Sequence, residues 1–317
     1  MISDTLIPPV PEDGKLRQFW SVMIPAYNPN RDYLEQTLRS VLVQDSGSAQ
    51  MQIEVVDDCS PKVDVAAMVR EIAGDRIKVS QTSKNLGLAG CWNTCIERSR
   101  GEWVHILHQD DYVLPEFYQT LAKTAGRHPE IGLLATRSFF IDHENTILGV
   151  TPRLCGMENG SRKADDFFYG TPIQCPGVVV KRSVYQAHGG FRSDLIFTLD
   201  CEMWARVISN AGGLVTSAVL ACYRSSDGNE TSRLKRYGKD LHDYERLNQL
   251  FASRYPSFSA RRARERMCDM ALGQALQFSL AGDHASSKAN SAYWRQNATA
   301  KLWFRRLTQK LERTLFK

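Results

Sequence analysis

Apolar residues in the first hundred positions alternate between short continuous runs and stripes at helical spacing. The runs have the length of buried strands and lie in the segments WSVMIPAYN, MQIEVVDDCSP, RIKVSQ and EWVHIL. Stripes between them predict helices in DYLEQTLRSVL, from Val65 to Ile72, and in LAGCWNTCIERSRG, which we expect to end at Gly101. This alternation predicts a doubly wound, mostly parallel sheet of the α/β class.

The pattern becomes less regular in the middle of the chain. Strands are predicted in IGLLATRSFFID, TILGV, GVVVK and LVTSAVLACYR, and helices in RSVYQAHGGF and LDCEMWARVISNAGG. From residue 233 the strand patterns vanish, and the sequence is helical and basic. We therefore expect an N-terminal arm over 1–19, an α/β domain over 20–232 and a helical C-terminal extension over 233–317.

Charge and cysteine content narrow the classes of function. The 317 residues carry a formal net charge of +5, which does not indicate nucleic acid but favours anionic partners such as phosphates. The eight cysteines form no C-x-x-C pair, which argues against a disulfide scaffold and a zinc site. The sequence shows no signal-peptide pattern and no apolar run long enough to cross a membrane, so we expect a soluble cytoplasmic protein.

Polar residues follow three of the predicted parallel strands. Asn28 ends the first, Asp57 and Asp58 end the second, and HQDD at 108–111 ends the fourth. The carboxyl ends of such strands meet at one edge of the sheet, where ligands bind. Carboxylates suit Mg²⁺ or Mn²⁺, which leave coordination sites free for phosphate oxygens. The sequence therefore predicts a crevice for a metal-diphosphate, and it lacks the glycine motifs of P-loop ATPases and dinucleotide dehydrogenases.

The histidines of HILHQDD do not predict a metal-binding pair. On an extended strand His105 and His108 point to opposite faces, whereas His108 and Asp110 share one face. Taken alone, two acids at a strand end are equally typical of a solvated turn.

Four motifs carry a family resemblance. SVMIPAYN, EVVDDCS, NLGLAGCWNTCIERSRGEWVHILHQDD and TLDCEMWAR occur in the order and spacing of family 2 glycosyltransferases with the GT-A fold. The resemblance covers roughly residues 20–230. It implies a nucleotide-sugar donor, a divalent metal and inversion at the anomeric carbon, with a nucleotide half over about 20–115 and an acceptor half over about 116–232.

The resemblance also implies which residues bind the donor. They follow the strand ends and are Pro25, Tyr27, Asn28, Asp57, Asp58, Asn85, His108, Gln109 and Asp110. Within this set the first three would line the nucleoside pocket, the acid pair would hold the base and ribose, and Asn85 would support the diphosphate. The family's D-x-D element falls on residues 108–110, so Asp110 is the implied metal ligand, with Asp111 supporting it.

In TLDCEMWAR, Asp200 matches the catalytic base of the family, and Glu202 matches a position that faces the acceptor. Trp204 is a second candidate acceptor contact. Direct displacement needs a carboxylate that takes the proton of the acceptor hydroxyl. Each residue also has a structural alternative: Asp200 as a helix cap, Glu202 as an ion-pair partner of Arg206, and Trp204 as a core residue.

Two positions depart from the family pattern and keep a second class of function open. His108 replaces the first acid of the D-x-D element, and Ser226 replaces a frequent histidine. We expect a glycosyltransferase that moves a sugar from a UDP- or dTDP-sugar to a hydroxyl of a bacterial surface glycan or lipid-linked acceptor. The alternatives are a catalytically silent sugar-nucleotide-binding or scaffold protein, and a nucleotidyltransferase, although PAYNPNRD lacks the glycine-rich basic loop of the latter.

The C-terminal segment KLWFRRLTQKLERTLFK combines apolar and basic residues. Its apolar residues include Leu302, Trp303, Phe304, Leu307, Leu311 and Leu315. Such a helix is typical of one lying on an anionic membrane surface, which would bring the enzyme to a lipid-linked acceptor at the inner face of the cell membrane. The alternative is a final helix packed against the protein.

Overall fold

The computed structural model describes residues 6–10, 17–225 and 230–304. The chain forms two compact units, Met1–Ser226 and Asp227–Lys317. The division lies six residues before the end of the α/β domain expected at residue 232.

The first unit is built on one nine-stranded sheet. Its strands are β1 (Trp20–Ala26), β2 (Met51–Asp57), β3 (Lys78–Gln81), β4 (Trp103–Ile106), β5 (Tyr112–Val113), β6 (Leu133–Ile141), β7 (Ile147–Val150), β8 (Val178–Lys181) and β9 (Gly213–Arg224). The strand order is β3-β2-β1-β4-β8-β6-β9-β5, with β7 paired to β6 at the side of this path. The predicted α/β class is confirmed.

The first four strands, β1 to β4, are parallel. β1 lies between β2 and β4 and pairs with both, and β3 pairs with β2 on its far side. Every residue of β1 is buried, as expected for a central strand covered by helices on both faces. The connecting helices are α1 (Arg31–Leu42), α2 (Val65–Ala73) and α3 (Gly87–Arg98). This arrangement places the ends of β1, β2 and β4 at one edge.

Gly101 has a different role from the one predicted. Helix α3 ends at Arg98, and its C-terminal cap is Ser99. A Cβ atom added at Gly101 would lie 2.6 Å from the backbone N of Ser21 and the backbone C of Trp20. The glycine is therefore required because two backbones approach closely, and it is not a helix cap.

The other half of the sheet contains antiparallel pairs. β8 is antiparallel to both β4 and β6, whereas β6 and β9 are parallel. The helices of this half are α4 (Phe117–Arg127), α5 (Arg182–His188) and α6 (Leu199–Ala211). Because β9 also pairs with β5, its C-terminal end lies beside the segment that follows β4.

The second unit is helical. Its helices are α7 (Glu230–Arg236), α8 (Lys239–Arg254), α9 (Ala260–Leu280) and α10 (His284–Asn297). Their apolar faces bury a separate core of Leu241, Met267, Cys268, Ala271, Tyr293, Trp294 and Leu302. None of the helices among the described residues has the length and hydropathy needed to span a bilayer.

Candidate functional site

The loop after β1 is joined to the loop after β2 by Asn28. Its backbone N–H donates to Ser60 Oγ at 2.8 Å, and its Oδ1 accepts the backbone N–H of Lys62 at 3.0 Å. Asn28 adopts a positive φ of 44°, a conformation that asparagine tolerates better than most residues. Pro25 is buried within β1, whereas Tyr27 is 45% exposed. Of the expected nucleoside contacts, Tyr27 is thus the one that presents a large surface.

Gln109 connects the ends of β1 and β4. Its Oε1 accepts the backbone N–H of Tyr27 at 2.8 Å, and its Nε2 donates to the carbonyl of Tyr27 at 3.3 Å. Together with Asn28, this amide brings three strand ends to one edge of the sheet, as the sequence predicts.

Asp57 and Asp58 are buried and organise the loops around them. Asp57 Oδ1 accepts the N–H and hydroxyl of Ser60 at 3.1 and 2.5 Å, and its Oδ2 accepts Gln81 Nε2 at 2.7 Å. Asp58 accepts the backbone N–H groups of Leu86 and Gly87 at 2.8 and 3.0 Å, at the start of α3. These bonds satisfy groups that a helix N-terminus leaves free.

Asn85 belongs to the same loop and is exposed. Its Oδ1 accepts the N–H of Gly87 at 3.1 Å, and its Nδ2 donates to the carbonyl of Asp58 at 3.4 Å. The carboxylates of the acid pair thus hold the loop on which Asn85 is presented. Their predicted contacts with base and ribose remain a prediction.

The segment HQDD is a turn and not part of the strand, because β4 ends at Ile106. The expectation that His108 shares a strand face with Asp110 is therefore wrong. Instead, His108 Nδ1 lies 3.3 Å from Asp111 Oδ2. The imidazole also stacks on Trp92, with ring centroids 4.7 Å apart and an interplanar angle of 26°.

Three carboxylates act electrostatically on His108. Burial acts to lower the pKa of His108, but the hydrogen bond with Asp111 and the charges of Asp111, Asp110 and Asp200 raise that pKa above its ordinary value. Asp200 therefore lies within electrostatic reach of the turn, although it comes from a distant part of the sequence.

Asp111 is part of the framework. Its side chain is 1% exposed, its Oδ1 accepts the backbone N–H of Arg224 at 2.8 Å, and its carbonyl accepts the hydroxyl of Thr37 at 2.7 Å. With Oδ2 facing His108, neither carboxylate oxygen is directed to solvent. This placement corrects the expectation that Asp111 supports the metal ion directly.

Asp110 is the carboxylate of the turn that remains partly exposed. Burial and the charge of Asp111 raise the pKa of Asp110 from 3.8 to about 6, against the opposing charges of His108 and Arg224. No group of three or more acidic, histidine or cysteine side chains among the described residues forms a metal cage. A single carboxylate does fit Mg²⁺ or Mn²⁺ bound mainly through substrate phosphates and water.

His105 is a buried structural residue. Nδ1 lies 3.0 Å from the hydroxyl of Tyr118, and Nε2 lies 3.0 Å from the carbonyl of Pro176. Burial lowers the pKa of His105 to about 3, so the ring is neutral. A neutral ring satisfies both contacts if Nε2 carries the proton and Nδ1 accepts from the tyrosine. Both ring nitrogens of His105 are therefore occupied by contacts within the protein.

Asp200 lies in the first turn of α6. The N-cap residue is Thr198, so Asp200 is not the cap, and its Oδ1 accepts the backbone N–H of Cys201 at 2.7 Å. The side chain is partly exposed. Burial raises the pKa of the Cys175 thiol, and the charge of Asp200 raises it further. Asp200 thus presents a partly exposed carboxylate, the kind of group that can act as a base.

Glu202 is buried in an ion pair with Arg206. The carboxylate accepts Arg206 Nε at 2.9 Å and Nη2 at 2.8 Å. The same guanidinium donates to the carbonyls of His188, Gly189 and Gly190 at 2.6, 3.1 and 2.9 Å. Glu202 therefore neutralises an arginine that shapes the loop before α6, which corrects its expected role as an acceptor contact.

Trp204 is also a core residue. Its side chain is 2% exposed, and its ring meets that of Phe191 edge to face at a centroid distance of 5.8 Å. This burial leaves no surface for an acceptor and corrects the predicted contact. Ser226, the second position that departs from the family pattern, lies outside the described residues.

Asn93 is a site residue that the sequence interpretation missed. Its Nδ2 donates to the carbonyl of Phe191 at 2.9 Å, and its Oδ1 accepts the N–H of Phe191 at 2.7 Å. The adjacent Trp92 contacts both His108 and Phe191. Helix α3 thus connects the HQDD turn with the loop that leads to Asp200. The signal in the sequence was a polar residue within the apolar stretch CWNTC.

Two relatives were found by sequence similarity. "Uncharacterized protein MT1568" of Mycobacterium tuberculosis is 27% identical over 243 residues, which cover 72% of this chain and 73% of the relative. "Putative teichuronic acid biosynthesis glycosyltransferase TuaG" of Bacillus subtilis is 38% identical over 93 residues, which cover 29% of this chain and 35% of TuaG. Related proteins therefore include glycosyltransferases of surface polysaccharide biosynthesis.

Two solved structures share the fold. TarS 1-349 of S. aureus in complex with UDP-GlcNAc has a TM-score of 0.56 at 18% identity, covering 88% of this chain and 92% of that chain. Mannosyltransferase PcManGT from Pyrobaculum calidifontis, in complex with GDP-Man and Mn²⁺, has a TM-score of 0.55 at 17% identity, covering 98% and 83%. The fold is the GT-A fold of glycosyltransferases.

The family is shown by the sequence itself. The family model of "Glycosyl transferase family 2" matches residues 21–188, more than half of the chain. This range contains the strand-end loops and the HQDD turn, and it ends next to the loop held by Arg206. The chain therefore belongs to glycosyl transferase family 2.

Proposed function

We propose that the protein is an inverting, metal-dependent glycosyltransferase that uses a UDP- or dTDP-sugar and a hydroxyl of a bacterial surface glycan or lipid-linked acceptor. One observation carries the proposal. Two carboxylates from distant segments, Asp110 in the HQDD turn and Asp200 in the first turn of α6, are both partly exposed, and the charges of both reach His108. Asp110 is suited to binding a metal-diphosphate, and Asp200 is suited to acting as the base.

The two carboxylates have separate tasks in a single displacement. Asp200 takes the proton of the acceptor hydroxyl as that oxygen attacks the anomeric carbon from the side opposite the departing diphosphate, which inverts the configuration. Asp110 would hold the Mg²⁺ or Mn²⁺, which when bound offsets the negative charge on the diphosphate. This reaction requires no carboxylate nucleophile.

The relatives support the substrate classes. TarS is described with UDP-GlcNAc and PcManGT with GDP-Man and Mn²⁺, and TuaG is named for teichuronic acid biosynthesis. Within this chain, exposed Tyr27 and Asn85 flank the strand-end crevice in which the nucleoside and diphosphate would lie.

The direct test is release of the nucleoside diphosphate from a panel of UDP-, dTDP- and GDP-sugars, with Mn²⁺ or EDTA and with or without a lipid-linked acceptor. We expect release from a UDP- or dTDP-sugar that requires metal and increases with acceptor. Asp110→Asn should remove metal-dependent nucleotide binding, whereas Asp75→Asn, in an exposed turn away from the crevice, should behave as wild type. Binding of nucleotide sugars without any turnover would instead support the silent scaffold.

The proposal includes contact with an anionic membrane through the C-terminal segment. Within its described part, Leu302 is buried in the helical core, which corrects its expected place on the lipid-facing side. Trp303 is 41% exposed and Phe304 is 68% exposed. Residues 305–317, which include Leu307, Leu311 and Leu315, lie outside the described residues. The basic residues at 305–317 are still expected to favour anionic lipid.

Flotation with liposomes tests this contact without disturbing the helical core. We expect the intact protein to float with anionic but not with neutral vesicles, and salt to weaken binding. Deletion after residue 304 should abolish flotation and leave Leu302 in place. Equal flotation of the truncated protein would contradict the proposal.

A further inference from the structure

Arg224 contacts the HQDD turn through the backbone of Asp110 and the side chain of Asp111. It is the last residue of β9 and is 1% exposed. Its Nε donates to the carbonyl of Asp110 at 2.9 Å, and its backbone N–H donates to Asp111 Oδ1 at 2.8 Å. One residue thus fixes two consecutive positions of the turn, one through its side chain and one through its backbone.

The rest of the guanidinium is held by two other segments. Nη1 donates to the carbonyl of Asp142 at 2.8 Å, and Nη2 donates to Gln36 Oε1 at 2.6 Å and to Asn145 Oδ1 at 2.8 Å. The guanidinium carbon also lies 4.2 Å from the centre of the Tyr33 ring. Arg224 therefore joins the turn to α1 and to the connection between β6 and β7.

This arrangement determines where the Asp110 carboxylate points. A hydrogen bond at the carbonyl of Asp110 fixes the peptide plane that follows its Cα, and the bond to Asp111 fixes the next side chain. The direction of the Asp110 side chain is then set before any ligand arrives, which reduces the cost of binding a metal ion. Lysine cannot replace the planar fork, because it has one nitrogen for acceptors in three different directions.

We propose that Arg224 is a positioning residue for the metal ion, which it serves by holding the backbone of Asp110 and the carboxylate of Asp111. The inference rests on the proposed function, in which Asp110 binds the metal. It extends that function to a residue that itself touches neither metal nor donor.

The test is calorimetric titration of Mn²⁺ into the full-length protein with saturating UDP, comparing wild type with Arg224→Lys. The matched control is Arg182→Lys. Arg182 is equally buried, and its guanidinium donates to backbone carbonyls of Pro8 and Ser99, away from the turn. We expect Arg224→Lys to weaken Mn²⁺ binding at least about tenfold, the scale of a lost charge-assisted hydrogen bond, and to leave UDP binding in EDTA unchanged. Arg182→Lys should leave both unchanged.

A milder variant decides the matter if Arg224→Lys does not fold. Asn145 has a positive φ of 66°, so Asn145→Gly keeps the backbone conformation and removes one acceptor of Arg224. We expect it to weaken Mn²⁺ binding about two- to fourfold. Unchanged Mn²⁺ affinity in the folded variants, or an equal loss in Arg182→Lys, would overturn the role of Arg224. A wild-type protein that binds no Mn²⁺ would instead overturn the metal dependence in the proposed function.

Discussion

Two buried arginines hold the two halves of the site, and they do so differently. Arg206 lies within α6, is paired with Glu202 one turn earlier, and gathers the carbonyls of the adjacent loop. Arg224 lies at the end of a strand and gathers acceptors from α1, the HQDD turn and the β6–β7 connection. The first arrangement is local, whereas the second depends on long-range assembly.

The difference separates stability from metal binding. Removing the partner of Arg206 leaves a buried charge inside a helix, which should mainly lower the free energy of unfolding. Weakening the contacts of Arg224 alters the turn that carries the partly exposed carboxylate of Asp110, so it should mainly change ligand binding.

The largest effect is expected for Glu202→Ala. Loss of one partner of a buried ion pair should lower the free energy of unfolding by about 3–5 kcal/mol, measured by chemical denaturation. Glu202→Gln retains an acceptor for Arg206 and should be less destabilised. A loss below about 1 kcal/mol in Glu202→Ala would show that α6 and the loop before it do not depend on this ion pair.

Asp200→Asn tests the role of Asp200 as the catalytic base. The amide cannot take the acceptor proton, so turnover should fall by about two orders of magnitude or more. UDP affinity should stay within about twofold of wild type, because Asp200 is not assigned to the donor. Near-normal turnover would assign Asp200 a structural role at the start of α6.

The affinity for Mn²⁺ should depend on pH. Because burial and the charge of Asp111 raise the pKa of Asp110 to about 6, the carboxyl group carries a proton below this pH and must lose it to bind Mn²⁺. Affinity should therefore be constant above pH 7 and fall about tenfold per pH unit well below pH 6. Calorimetry at several pH values measures this, and titration of Mn²⁺ into UDP without protein at each pH controls for protonation of UDP. A flat profile from pH 5 to 8 would contradict the assignment.

The smallest effect is expected for Gln109→Ala. Its amide joins the HQDD turn to Tyr27 by two neutral hydrogen bonds in an exposed position, and their loss should cost about 1 kcal/mol of unfolding free energy. Mn²⁺ affinity should remain as in wild type, because Arg224 still holds the turn. A shift as large as that of Arg224→Lys would mean that the two contacts share the task.

The sequence predicted the parts of the fold that depend on local patterns. The continuous apolar segments became the buried strands β1, β2 and β4, and parallel strands necessarily bring their ends to one edge. The i to i+4 spacing also made the Glu202–Arg206 pair an explicit alternative. These features involve residues close together in the chain.

Other features depend on tertiary packing and escaped prediction. The acceptors of Arg224 come from residues 36, 110, 142 and 145, and no spacing in the sequence relates them. Gly101 resembled a helix cap because the approach of another strand leaves no mark in the local pattern. His108 turned to Asp111 because β4 ends at Ile106, one residue before the end of the apolar run EWVHIL.

The two hydrogen bonds between Asn93 and Phe191 also restrict how this chain can evolve. A Cβ atom on Gly190 would lie 2.2 Å from Asn93 Oδ1. At this distance a side chain at position 190 cannot be accommodated unless neighbouring atoms move. A substitution at either position therefore changes the selection on the other: a larger residue at 190 is tolerated once position 93 has become smaller. Among descendants of this sequence, glycine at 190 and asparagine at 93 should be inherited or replaced as a pair.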